Sequence, residues 1–190
     1  MGKMFLAVIV LAAVALMMPT ARAQQNAAPQ AEKPAAPAAN PADVSSPDAI
    51  LAALYDVISG PAGQKRNWDR FRSLFVPGAR LIPTGRAQTG EFRTRVLDPE
   101  GYIERSAPLL EGPGFYEREI ARRTERFGNI LHAFSTYEAR RKPDDPAPFA
   151  RGINSVQLFY DGTRWWVVSV FWQSESPDTP LPKEYLPAGR

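Results

Sequence analysis

The stretch FYEREIARRTERFGNILHAFSTYEARR, residues 115–141, decides the fold. Its first half carries Glu and Arg at spacings such as Glu119 and Arg123, which would suit a solvated helix. Against that reading, Gly128-Asn129 is a turn signal, and Ile130 to Arg141 is rich in strand formers. The reading taken is a long hairpin across 115–141. A two-residue turn then sets Phe127 opposite Ile130 and Glu125 opposite His132.

Downstream of the hairpin, Lys142 to Pro148 reads as a surface loop. Ile153–Tyr160 and Trp165–Gln173 are the clearest strands, joined through Asp161-Gly162-Thr163. Their nearly continuous apolar residues call for cover on much of both faces. Upstream, Ser46-Pro47-Asp48 starts a helix whose Ile50, Leu51, Leu54, Val57 and Ile58 share one face, and Gly60-Pro61 stops it. Asn67 caps a second, short helix with Trp68, Phe71, Leu74 and Phe75 inward. Ala79–Ile82 is a short strand closed by Pro83, and residues 84–97 are a polar loop or ragged strand. Asp98-Pro99 opens a third helix, with Tyr102 and Ile103 on its buried side and Pro108 near its end.

The N-terminal region differs in kind. Lys3, an apolar run from Met4 to Met18 and the triplet Ala21-Arg22-Ala23 have the order of a secretory signal cleaved after Ala23. The run falls short of the roughly 20 residues that span a bilayer, so no membrane association is expected after cleavage. Residues 24–45, with prolines and alanines dominant and no aromatic residue, read as a disordered tether. One domain is expected over 46–175, followed by a proline-rich extended tail over 176–190. The expected location is periplasmic or secreted. With no cysteine in the chain, the domain must fold on its apolar core alone. The signal carries Lys3 and Arg22 and no acid, so its removal takes the net charge from +3 to +1. A chain that close to neutral gives no reason to expect nucleic acid as a partner.

Three pieces of sequence together suggest kinship. Asn67-Trp68-Asp69-Arg70-Phe71 runs on to Leu74-Phe75-Val76-Pro77-Gly78-Ala79-Arg80-Leu81. Phe127-Gly128-Asn129-Ile130 leads to Phe134-Ser135-Thr136-Tyr137-Glu138, and Asp161-Gly162-Thr163-Arg164-Trp165-Trp166-Val167-Val168 follows. In order and spacing these resemble the nuclear transport factor 2-like superfamily, with its ketosteroid isomerase-like and SnoaL-like branches. The resemblance implies an α+β fold in which a curved antiparallel sheet wraps the N-terminal helices around a conical cavity, often paired into a homodimer. It implies no particular reaction, because the superfamily holds isomerases, dehydratases, cyclases and non-catalytic members. No acid here matches the catalytic aspartate of the ketosteroid isomerases.

His132 is the only histidine and, with Glu125 opposite it, forms a workable acid/base pair. The plainer alternative is a cross-strand pair on the outer or dimer-facing side of the sheet. Tyr137 and Tyr55 are possible hydrogen-bond donors to a developing oxyanion, or core tyrosines with a wet tip. Asn154 and Gln157 have opposite parity in one strand, so at most one faces the cavity without a bulge. Gln157 is the one placed in the ligand set, with Tyr55, Trp68, Trp165, Phe171 and, for a carboxylate, Arg151. Trp165, Trp166, Phe171 and Trp172 suit either a flat apolar ligand or the core. The arginines 118, 122, 123 and 126, interleaved with Glu117, Glu119 and Glu125, read as a balanced surface. No metal-ligand spacing, phosphate loop or nucleophile elbow is visible, and no cofactor is expected. The leading expectation is a cavity for a small apolar or amphipathic molecule. The alternatives are an isomerase- or dehydratase-type enzyme using His132, and a non-catalytic interaction module.

Overall fold

Ser46 caps the first long helix as its sequence requires, its hydroxyl accepting from Ala49 N at 3.0 Å. This computed structural model describes residues 37–87 and 89–187. The expected signal segment 1–23, most of the expected tether and the last residues of the expected tail lie outside the described residues. In chain order the elements are α1 (Pro41–Val44), α2 (Pro47–Ile58), α3 (Trp68–Ser73), β1 (Phe75–Arg86), β2 (Phe92–Thr94), α4 (Pro99–Glu111), β3 (Tyr116–Phe127), β4 (Ile130–Arg140), β5 (Ala150–Tyr160) and β6 (Trp165–Ser174). A single 3-10 turn, Lys183–Tyr185, follows in the tail.

The six strands form one curved, open sheet of order β2-β1-β6-β5-β4-β3. β3 to β6 are the expected antiparallel meander, and the turn pairs Phe127 with Ile130 and Glu125 with His132. Gly128 turns the chain at φ +53°, in the region glycine enters without strain. The short strand expected at 79–82 is far longer: β1 runs from Phe75 to Arg86 through Pro83 and lies parallel to β6. Such a pairing joins residues about ninety apart in the chain, beyond the reach of local pattern. The polar segment 84–97 supplies β2, an edge strand folded back on β1.

The helices cover one face of the sheet. Leu51, Leu54 and Val57 of α2 meet Leu131, Ala133, Val156, Leu158 and Val167 in a continuous core. The packed chain begins earlier than Ser46, because Val44 is 4% exposed and Asp43 is held by Arg70 through two bonds of 2.8 and 2.9 Å. That bond set, chiefly the Arg70 guanidinium, holds the Asp43 carboxyl below its ordinary range.

One buried guanidinium fixes the helices over the sheet. Arg66 donates from Nε to Ile58 O at the end of α2 (3.0 Å) and from Nη2 to Leu110 O near the end of α4 (2.8 Å). It also reaches Gly60 O at 2.7 Å and Gln64 O at 2.6 Å. The ends of both helices present carbonyls with no partner in the helix, and a cation there is also favoured by the helix dipoles. Gly60 leaves room for this contact, since a Cβ there would lie 2.7 Å from Arg66 Nη1.

Within the described tail, Tyr185 lies against the outer face of the sheet. Tyr185 packs on Phe134 at 5.0 Å, and its carbonyl accepts from Thr136 Oγ1 at 2.6 Å.

Candidate functional site

Strand register orders the inward side chains from the open end of the sheet to its closed end. Ala139 and Glu117 come first, then Tyr137 opposite Gly152, then Asn154 opposite Ser135 and Trp172, then Val156 with Ala133 and Val170. Helix α2 adds Tyr55 above them, and α4 adds Tyr102 and Ser106. Together they enclose a cavity of about 450 Å³, the size of an ordinary small-molecule site. Its walls are mostly apolar, from Leu54, Ile58, Phe71, Leu81, Val170 and Trp172.

The polar groups form a directed chain. Ser135 Oγ donates to the Glu119 carboxylate, so the Tyr55 hydroxyl, 2.7 Å from Ser135 Oγ, must donate to it. Tyr55 in turn accepts from Asn154 Nδ2 at 3.1 Å, and the same amide group donates to Glu117 Oε1 at 3.3 Å. Tyr137 Oη meets Ser174 Oγ at 2.9 Å. Gly152 makes room for that phenol, because an alanine methyl there would lie 2.6 Å from Tyr137 Oη.

Glu117 is the acid of this cavity. Desolvation against the apolar walls, opposed by the Asn154 hydrogen bond, pushes its half-buried carboxyl up to about 8. Burial and then the nearby Glu117 charge raise the Tyr137 phenol to about 12, and Tyr55 and Tyr102 are raised for the same two reasons. The site therefore holds protonated phenols beside a carboxyl that gains or loses its proton near neutrality.

Several expected site residues lie elsewhere. His132 is on the outer face, its Nε2 2.9 Å from Ser155 Oγ and its Nδ1 3.9 Å from the exposed Glu125 carboxylate. Their register is the expected one, but the pair faces away from the cavity. In β4, His132 and Tyr137 have opposite parity with no bulge between them, so the two could not share a face. Gln157 is exposed beside His132, and Asn154 is the inward amide of β5. Phe171 is on the outer face beside the tail, while Trp172 lines the cavity. Trp165 is inward but 4% exposed, packed on Tyr160 at 5.3 Å at the closed end, and serves the core. Trp68 bonds Glu111 at 2.9 Å outside the cavity lining. Arg151 is paired with Glu175 at 2.8 and 3.1 Å. Of the expected set, Tyr55 and Tyr137 reach the cavity.

Glu117 went unread because a bulge hides it. Glu119 pairs with Tyr137 and Ala121 with Thr136, so Ile120 is extra and the strand changes face there. Glu117 and Glu119 consequently point inward while Glu125, of the same parity, points outward. A larger depression of about 630 Å³ shares Tyr55 and Glu117 but follows the α2–β3 edge. Its three guanidiniums are already occupied, Arg118 and Arg140 by Glu138 and Arg122 by Glu119.

No family model matches the chain, and no curated protein matches it. Among the solved structures it resembles are nuclear transport factor 2-like proteins. One is such a protein of unknown function from Silicibacter pomeroyi, 11% identical over 69% of this chain and 94% of that one, TM-score 0.47. Another, from Shewanella baltica and also of unknown function, is 14% identical over 67% and 89%, TM-score 0.41. LinA is 13% identical over 70% of this chain and 84% of its own, TM-score 0.48. At such identities the likeness concerns the fold, and the site must be read from its own residues.

Proposed function

We propose that the cavity binds a small apolar or amphipathic molecule. The observation that carries this reading is an inward, mostly apolar space of about 450 Å³ in which the polar atoms of Glu117, Tyr137 and Asn154 converge. An apolar body fills the cavity, and where that body carries a carbonyl or hydroxyl, Tyr137 and Glu117 can bond it. Decan-1-ol tests the reading. Trp172 lines the wall, so saturable binding should change tryptophan emission in the protein and less so in Trp172→Phe, which retains the other three tryptophans. Emission that stays flat up to the solubility limit of the alcohol would remove the ligand-binding reading.

A second reading follows from one further observation. Glu117 titrates near neutrality in an apolar site, the condition for a general base or acid, with Tyr137 placed as a hydrogen-bond donor. In an isomerase- or hydro-lyase-type reaction, Glu117 would move the proton and Tyr137 would bond the oxygen on which negative charge develops. That assignment takes the acid/base role from His132.

A further inference from the structure

The cavity carries an acid and a cation at different depths. Among the described residues that line it, Glu117 is the acid and Arg141 the cation. Arg141 follows β4 at the open end, two residues beyond Ala139, which pairs with Glu117. Two residues of strand put it about 7 Å further toward solvent. Around it the rim is apolar and exposed: Leu109 is 68% and Phe149 48% exposed, with Pro108 and Pro113 beside them.

The guanidinium is pre-set and largely unused. It lies over the Phe149 ring at 4.0 Å, a stacking that holds its plane and leaves its N–H edge free. Among the described residues, its hydrogen bond is from Nη1 to Gly114 O, at 3.3 Å. Two acids near it in sequence are committed elsewhere: Glu138 pairs with Arg118 and Arg140, and Asp145 gives its carboxylate to the backbone N–H groups of Arg141 and Lys142. Glu175 is likewise committed, to Arg151. An arginine with most of its donors open, at the lip of an apolar cone, is built for bidentate contact with a carboxylate.

The interior enforces the opposite preference. An anionic group pushed inward would sit beside the Glu117 carboxyl, among apolar walls and without a counter-charge, at a steep desolvation cost. We propose that the ligand is an amphipathic monoanion, a carboxylate on an apolar body, which enters body first and leaves its carboxylate on Arg141. This rests on the cavity reading above and adds to it the ligand's class and orientation.

Decanoate and decan-1-ol, matched in chain length, separate the two claims. Decanoate should bind the parent protein about tenfold more tightly, the worth of one partly exposed charge-assisted pair. That ratio should shrink at molar salt and fall to near unity in Arg141→Gln, while Arg141→Lys keeps part of it. Equal affinity of the two ligands for the parent, or an undiminished ratio in Arg141→Gln, overturns the proposal and leaves the cavity reading standing. Binding of neither overturns both. Arg141 is exposed, so the variants should fold, and the salt dependence of the parent gives the same answer without them.

Discussion

Replacing Arg66 by methionine should destabilise the protein by about 3–5 kcal/mol, the cost of breaking a buried, fully bonded charge site. Methionine fills much of the same space, so the loss measures hydrogen bonds more than packing. Ile58 O, Gly60 O, Gln64 O and Leu110 O all accept from this guanidinium, at 2.6 to 3.0 Å. Without it, the C-terminal carbonyls of α2 and α4 face a dry interior. Lysine keeps the charge but cannot present donors in four directions, so Arg66→Lys should recover only part of the loss. Chemical denaturation of the three proteins checks this. A difference below about 1 kcal/mol would mean that water reaches those carbonyls and that Arg66 does not hold the helices.

Glu117→Gln should change how stability depends on pH. The folded protein holds the Glu117 proton up to about 8, whereas an unfolded glutamate releases it near 4.5. The folded state thus binds more protons between those values, and stability must fall as pH rises through them. Its contribution is fully present below the lower value and lost above the higher one. Glutamine keeps an acceptor for Asn154 and carries no charge. Parent and variant should therefore be equally stable near pH 4, with the variant ahead by about 3 kcal/mol at pH 7. Urea titrations across that range measure the difference. A gap that does not vary with pH would place the Glu117 carboxyl in an ordinary solvated setting.

Local chemistry made much of the architecture readable. Ser46-Pro47, Asn67 and Asp98-Pro99 start helices where such residues should, each side chain capping an N–H three residues on. Gly128-Asn129 fixed a register that put Glu125 across from His132. The faces were not readable, for a physical reason. Extra residues at Ile120 in β3 and at Val168 in β6 each reverse the alternation of the strand. Parity therefore put Trp165 with Phe171, although the bulge leaves Trp165 inside with Trp172 and sends Phe171 outside. The interleaving of Glu and Arg in β3 kept Glu117 among the surface charges, although α2 and α4 line the same cavity as it does. Burial of that kind comes from distant segments, as do the parallel pairing of β1 with β6 and the clasp of Asp43 by Arg70. In β5, which has no bulge before Gln157, parity was sufficient. The error there lay in which amide was assigned to the cavity.

That pair of amides gives the most direct test of the central claim, that the functional side of the sheet is the one facing the helices around Glu117. Asn154 and Gln157 stand three residues apart on β5 and on opposite faces. Their side-chain NH2 signals can be followed by NMR while decan-1-ol is added. The Asn154 signals should move saturably, with those of Gln157 and the His132 ring unchanged. Movement at Gln157 and His132 with Asn154 unchanged would contradict it and place the site on the outer face.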